Sequence, residues 1–276
     1  ELVIKEGWNY TNIYPEGRKI KSFHVYISAL ISFFITIFRL FNYLKGKNYD
    51  LYIGDLLVWV GLYKGVKTIF PFDDSLKQVP EQILFLIPAT HLITPIANDL
   101  KIFNKKTIHY SGVKACAHLH PNHFIPDIKR IQKNLRNKTY FIIRCVGFDA
   151  THDLGKKGID NNVLEKLVTI LSPYGEILIT SERDLDEKFK KYEMNMDKSL
   201  ISQYINFATI LIADGATMVA EAAMLGTPAI EFDEYFHEID QMHELENKYK
   251  LIHCFRTHEL NKLIDKLTRM LNTHNL

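Results

Sequence analysis

The side chains able to do chemistry fall in three short stretches, each directly behind an apolar run. GFDATHDLGKKG (147–158) gathers Asp149, His152 and Asp153, with Lys156 and Lys157 just after them. Carboxylates and an imidazole suit general acid and base work, and the lysines suit a phosphate or diphosphate. The turn SERD (181–184) adds a carboxylate, Glu182, beside a guanidinium, Arg183. In the third stretch, an apolar run at 210–212 stops at Asp214-Gly215, and Ala216 and Thr217 open a segment of small, helix-favouring residues that ends at Gly226. This reads as strand, tight turn, helix, with Pro228 leading into a further apolar run at 229–232. Such a turn aims the N–H groups of a helix N-terminus past the strand end, where they and the helix dipole suit a diphosphate. Glu221 sits about one turn into that helix, in reach of the hydroxyls of an attached ribose. Each residue also has a structural use: carboxylates cap helices and turns, lysines solvate loops, and the turn serves a plain βαβ crossover.

These stretches work together only if a sheet positions them. In a doubly wound sheet the loops at the carboxyl ends of the strands face one crevice, so GFDATHD, SERD and DGATM should converge. The chain alternates accordingly. LYIGD (51–55), a short helix over 56–63, VKTIFPFDD (66–74), LFLIPAT, HLITPIA and KKTIHYSG form a first series, with Asp55, Asp73 and Asp74 at strand ends. From Asp127 a basic amphipathic helix, IKRIQKNLRNK, leads to TYFIIRCV, a helix over 162–171, EILIT, helices over 185–192 and 198–207, and the strand at 210–212. A helix over 240–249, the strand LIHCF and a helix over 259–271 close the series. The pattern predicts an α/β chain of two Rossmann-like parallel-sheet domains, 1–127 and 128–276. Between them HYSGVKACAHLHPNHFIPD (109–127), punctuated by Gly112, Pro121 and Pro126, reads as an interdomain linker. His118, His120 and His123 have no acidic or Cys partner at helical spacing, so no metal site is expected there.

A chain of 276 residues with 47% apolar content and a net charge of +2 fits two modest domains and lacks the basic footprint of a nucleic-acid binder. Cys116, Cys145 and Cys254 are too scattered for a disulfide framework, which makes a reduced, cytoplasmic setting the default. The sequence opens on Glu1 with no signal-peptide pattern and is expected to enter an α/β domain partway through. The apolar stretch 25–38 has fourteen uncharged residues, short of the roughly 20 that span a bilayer. A buried helix is expected there, with peripheral membrane contact the alternative because Arg18, Lys19 and Lys21 precede it. No nucleophile elbow, Walker loop, zinc-protease motif or complete GxGxxG is present.

DGATMVAEAAMLGTPAI, HYSGVKACAHLHPNHFIPD, FDATHDLGKKGI and the ITSE turn together resemble, over nearly the whole chain, an uncharacterised prokaryotic family of GT-B glycosyltransferase-like proteins, a domain-of-unknown-function group. More distantly, the central motif is similar to non-hydrolysing UDP-N-acetylglucosamine 2-epimerases and to the N-acetylglucosamine transferase of peptidoglycan synthesis. The resemblance implies backbone donors to a diphosphate at Gly215, Ala216 and Thr217, with Asp214 at the turn and a ribose contact at Glu221. Arg183 and Lys156 would meet the diphosphate, and Asp149, His152 or Glu182 would serve as acid or base. His152 matches loosely, because Asp153 stands where the epimerases carry an Arg. Ser202 and Gln203 replace an expected His-Asp pair. The implied function is sugar transfer from a UDP-sugar type donor to a polysaccharide or cell-surface acceptor, with no cofactor and no metal. The alternatives are a 2-epimerase and a non-catalytic nucleotide-sugar-binding protein.

Overall fold

The computed structural model describes residues 7–15, 25–77, 79–147, 158–234 and 236–273, with backbone only for 25–29 and 237. Contacts divide the chain into two compact units, 1–112 and 113–276.

In the first unit, helix α1 (Val25–Tyr43) is followed by β1 (Leu51–Ile53), α2 (Leu57–Lys64), β2 (Lys67–Pro71), α3 (Ile83–Leu86), β3 (His91–Pro95) and β4 (Thr107–Tyr110). The four strands pair in parallel in sequence order. Tyr52, Thr68, Phe70 and Leu92 are buried; Phe70 and Leu92 share a core with Val58 of α2 and Leu86 of α3, and Tyr52 packs in another with Val60 of α2. LFLIPAT forms α3 and the turn after it instead of extending the strand alternation. α1 is only partly a core helix: Leu40 and Leu44 are buried, but Leu30, Ile31, Phe34, Ile35 and Phe38 face solvent. Among the described residues no helix is long and apolar enough to cross a membrane.

The second unit runs α4 (Cys116–Leu119), β5 (Tyr140–Cys145), α5 (Asn161–Leu171), β6 (Glu176–Ser181), α6 (Glu187–Lys190), α7 (Ile201–Phe207), β7 (Ile210–Ala213), α8 (Ala216–Leu225), β8 (Ala229–Phe232), α9 (Asp240–His243), β9 (Ile252–Phe255) and α10 (Leu260–Thr273). Its sheet is parallel with the order β6-β5-β7-β8-β9. The chain goes from β5 outward to β6 and then returns to the other side of β5 as β7, which makes the β5/β7 boundary the topological switch point. β7 and β8 are buried at every residue and β5 at all but Arg144, as strands covered on both faces require. Helices pack on each face, in two separate clusters.

Three sequence expectations are corrected here. The stretch 113–127 is not an extended linker: Val113, Ala115 and Leu119 enter the second unit's core. Buried Gln203 accepts the Asp127 N–H at 2.8 Å and donates to the Ile125 carbonyl at 3.1 Å, which fixes the far end of the stretch on α7. The basic segment after Asp127 is not one helix but two single 3₁₀ turns, Ile128–Arg130 and Lys133–Leu135. Asp127 caps the first by accepting the Lys129 N–H, and the Arg136 guanidinium takes the carbonyls of Lys129 and Ile131 that a continuing helix would use. α6 is also shorter than 185–192, because Ile179 of β6 exchanges backbone bonds with Tyr192 and Met194 at 2.7 and 2.8 Å and pulls that segment extended.

α8 ends at Gly226 in the left-handed region (φ 78°), with its N–H returned to the helix's last carbonyls. A Cβ there meets nothing within 4 Å, so any penalty is one of backbone conformation. Gly226→Ala is therefore expected to cost about 1 kcal/mol and Gly226→Asn clearly less, measured by urea unfolding.

Candidate functional site

The switch point is built from backbone. β5 ends at Cys145 and passes to Val146 and Gly147; β7 ends at Ala213 and turns through Asp214 and Gly215 into α8. Gly215 is the residue preceding α8, extended at φ −160° and ψ 134°, and its conformation is open to any residue. Space is what selects glycine: a Cβ here would lie 2.7 Å from Cγ2 of Val146. The two strand ends are thereby pressed together, and the first N–H groups of a ten-residue helix, which have no intrahelical acceptor, open beside them. α8 can pack this closely because its inward side chains are small or apolar, with Val219, Ala222 and Ala223 buried.

Asp214 is 3% exposed, and its two oxygens are used separately. Oδ1 accepts the Val146 N–H at 2.7 Å and Oδ2 accepts the Ile159 N–H at 3.0 Å. One carboxylate thus holds both Val146, just after β5, and Ile159, just before α5. Burial pushes its pKa up to about 6, against the pull of the two N–H groups and of Arg183. Arg183 donates to the Ile159 carbonyl, adding a second hold on the same loop end. Cys145 beneath it is a buried thiol pushed up to about 11, first by burial and then by the Asp214 charge.

Glu182 is half-exposed and committed on both oxygens: one pairs with Arg144 and the other accepts the Gly147 N–H at 3.2 Å. Arg144 also donates to Thr180 Oγ1 at 3.2 Å. Arg144 was missed on sequence. Its signal was a lone charge near the end of the otherwise apolar strand YFIIRC.

Glu221, on the second turn of α8, differs from these. Its Oε1 lies 3.7 Å from Nε2 of His118 on α4, while Oε2 is buried with no partner among the described residues. Burial raises its pKa and His118 opposes that rise. His118, read on sequence within a linker, is therefore part of the α8 surroundings. Glu231 of β8, inside what reads as an apolar run, is wholly buried and held well above the usual carboxylate range by burial and then by Asp233.

Of the sequence-selected residues, Glu182, Arg183, Asp214 and Gly215 are brought together around Val146, Gly147 and Ile159. Ala216, Thr217 and Glu221 follow on α8. Asp149, His152, Asp153, Lys156 and Lys157 lie outside the described residues. Among the described residues no three His, Cys, Asp or Glu side chains are placed to hold a metal ion.

No family model and no curated protein matches the sequence. Solved structures do match in fold. The Methanocaldococcus jannaschii UDP-GlcNAc 2-epimerase in complex with UDP-GlcNAc and UDP superposes with a TM-score of 0.64 at 12% identity, over 98% of this chain and 80% of that one. The S. aureus MnaA–UDP co-structure gives 0.61 at 10%, over 96% and 76%. The glycotransferase of kitacinnamycin gives 0.57 at 9%, over 98% and 80%. At such identities the likeness is one of fold: an α/β architecture of two parallel sheets shared with GT-B glycosyltransferases and 2-epimerases.

Gly215→Ala is expected to cost about 1–3 kcal/mol of stability by forcing the strand ends apart, and adding Val146→Ala should restore at least half of that loss. Equal losses in the single and double variants would show that the contact is not what selects glycine. Asp214 gives a pH signature. Because its folded-state pKa is raised above the usual value, its contribution is fully present below about pH 4 and is lost as the pH rises through about 6. The stability of the wild type relative to Asp214→Asn should therefore fall by on the order of 3 kcal/mol between about pH 4 and pH 7. A difference that stays constant with pH would contradict the assignment.

Proposed function

We propose that the second unit binds a nucleoside-diphosphate sugar, a UDP-sugar by preference, and that the protein transfers the sugar to a polysaccharide or cell-surface acceptor. The observation that carries this reading is the open N-terminus of α8 behind Gly215, at the switch point of a parallel sheet, with one oxygen of Glu221 left without a donor on the same helix. In this scheme the N–H groups of Gly215, Ala216 and Thr217 face the diphosphate. Glu221 accepts from the ribose hydroxyls and is steadied by His118. Charge on the leaving diphosphate is met by backbone dipoles together with Arg183 and Lys156. Asp214 acts through the backbone, holding the N–H groups of Val146 and Ile159. The proton of the acceptor hydroxyl goes to Asp149 or His152, since Glu182 is already paired with Arg144 and the Gly147 N–H. The first unit takes the acceptor side. No cofactor enters the scheme.

The second reading, a 2-epimerase, is favoured by the UDP-GlcNAc 2-epimerase among the matching folds. It needs acid and base groups at C2 of the sugar and no acceptor.

Thermal-shift titration with UDP and a panel of UDP-sugars tests the binding claim, with stabilisation growing as the ligand concentration exceeds Kd. Glu221→Ala is expected to weaken UDP binding by roughly tenfold or more, the scale of a hydrogen bond to a charged group, and to leave uracil alone unaffected. No stabilisation by any nucleotide would end the proposal, and C2 epimerisation of UDP-GlcNAc without acceptor would replace transfer by the second reading.

A further inference from the structure

The outer face of α1 is a continuous apolar stripe. Leu30, Ile31, Phe34, Ile35 and Phe38 recur at helical spacing and are between 38% and 66% exposed. The opposite side is anchored. Leu40 and Leu44 pack with Tyr52 and Val60, Phe33 meets Phe85 edge-on at 5.9 Å, and Arg39 donates to the Ile13 carbonyl. The stripe is therefore presented by a fixed helix, and a contiguous apolar surface of this kind marks an interaction site.

Charge selects the occupant. From 17 to 49 the sequence contains no Asp or Glu; Arg18, Lys19 and Lys21 precede the helix, and Lys45 and Lys47 follow it. The chain as a whole is nearly neutral at +2, so this positive character is local. A second copy seated on the stripe would bring no carboxylate from this segment to offset Lys45 and Lys47. An anionic bilayer surface offers what both parts of the segment need: hydrocarbon for the stripe and negative headgroups for its flanks. α1, with Arg39 inside it, fits contact in the plane of the interface, not a span.

We propose that the α1 stripe docks the protein peripherally on anionic membranes. The surface belongs to the first unit and is independent of the nucleotide-sugar reading.

The test is co-sedimentation of the full chain, without nucleotide, with vesicles of phosphatidylcholine alone or mixed with phosphatidylglycerol. Partitioning should be at least tenfold greater with the anionic vesicles and should fall steeply with added salt. Phe34→Ser/Phe38→Ser should reduce it at least tenfold and Lys45→Glu several-fold, with melting curves verifying that both variants remain folded. Equal binding to both vesicle types, or anionic binding untouched by the Phe substitutions, overturns the proposal. So does a dimer in gel filtration that those substitutions dissolve while vesicle binding stays absent, since a second copy would then cover the stripe. None of these outcomes bears on nucleotide binding, which is read separately by thermal shift.

Discussion

The switch point of the second unit depends on one buried carboxylate. Asp214 leaves β7 at the point where the strand order reverses, and its two oxygens take the N–H groups of Val146 after β5 and Ile159 before α5. Without those bonds, two backbone donors at strand and loop ends would need other partners in a place where burial excludes water. The carboxylate therefore converts a topological fact, the adjacency of β5 and β7, into a defined loop origin. Gly215 completes it, because only a residue without a Cβ lets Val146 lie against the start of α8. This close packing sets the start of α8 beside the strand ends, with no side-chain cap on Gly215 among the described residues.

The same logic explains why charged side chains cluster on one edge of an apolar sheet. β5 and β7 are hydrophobic but for Arg144, and β8 but for the wholly buried Glu231, because helices cover both faces, and the other polar residues appear near or just past the carboxyl ends. Arg144, Glu182 and Arg183 all occur there, and they satisfy one another and the loop backbone before any ligand arrives. A site built in this way is preorganised by its own ion pair and hydrogen bonds, with little left for a ligand to reorder.

Much of this frame was legible in the sequence, for physical reasons. The runs YFIIRC, EILIT and ILIA, the small-residue helix ATMVAEAAML and the Gly226 stop are local signals that tertiary packing reinforces, and they appear as strands, helix and cap. What was not legible depended on long-range partners. IKRIQKNLRNK has a helical pattern, but Arg136 diverts its carbonyls, a choice visible only in three dimensions. The histidine-rich stretch looked extended because of its prolines, yet Val113 and Leu119 find a core supplied by residues about a hundred positions later. In the site, Asp214, Gly215 and Glu221 stood out by spacing, whereas Arg144 and His118 did not, since their importance comes from Glu182 and Glu221, to which no local pattern connects them.

Three carboxylates on this side of the unit separate into roles by how their oxygens are satisfied. Asp214 has a backbone donor on each oxygen, so its interactions are complete and structural. Glu182 has a guanidinium on one oxygen and a loop N–H on the other, so recruiting it as a base would mean breaking an ion pair. Of the three, Glu221 keeps a buried oxygen with no donor among the described residues, with His118 3.7 Å from the other. Leaving such an acceptor unsatisfied costs on the order of 1–3 kcal/mol, and a hydroxyl arriving at that oxygen would recover it. The fold thus holds unfavourable free energy at one acceptor on the helix whose N-terminus suits a diphosphate. Under the function proposed above, a ligand carrying hydroxyls and a diphosphate on one scaffold would meet both needs in a single binding event.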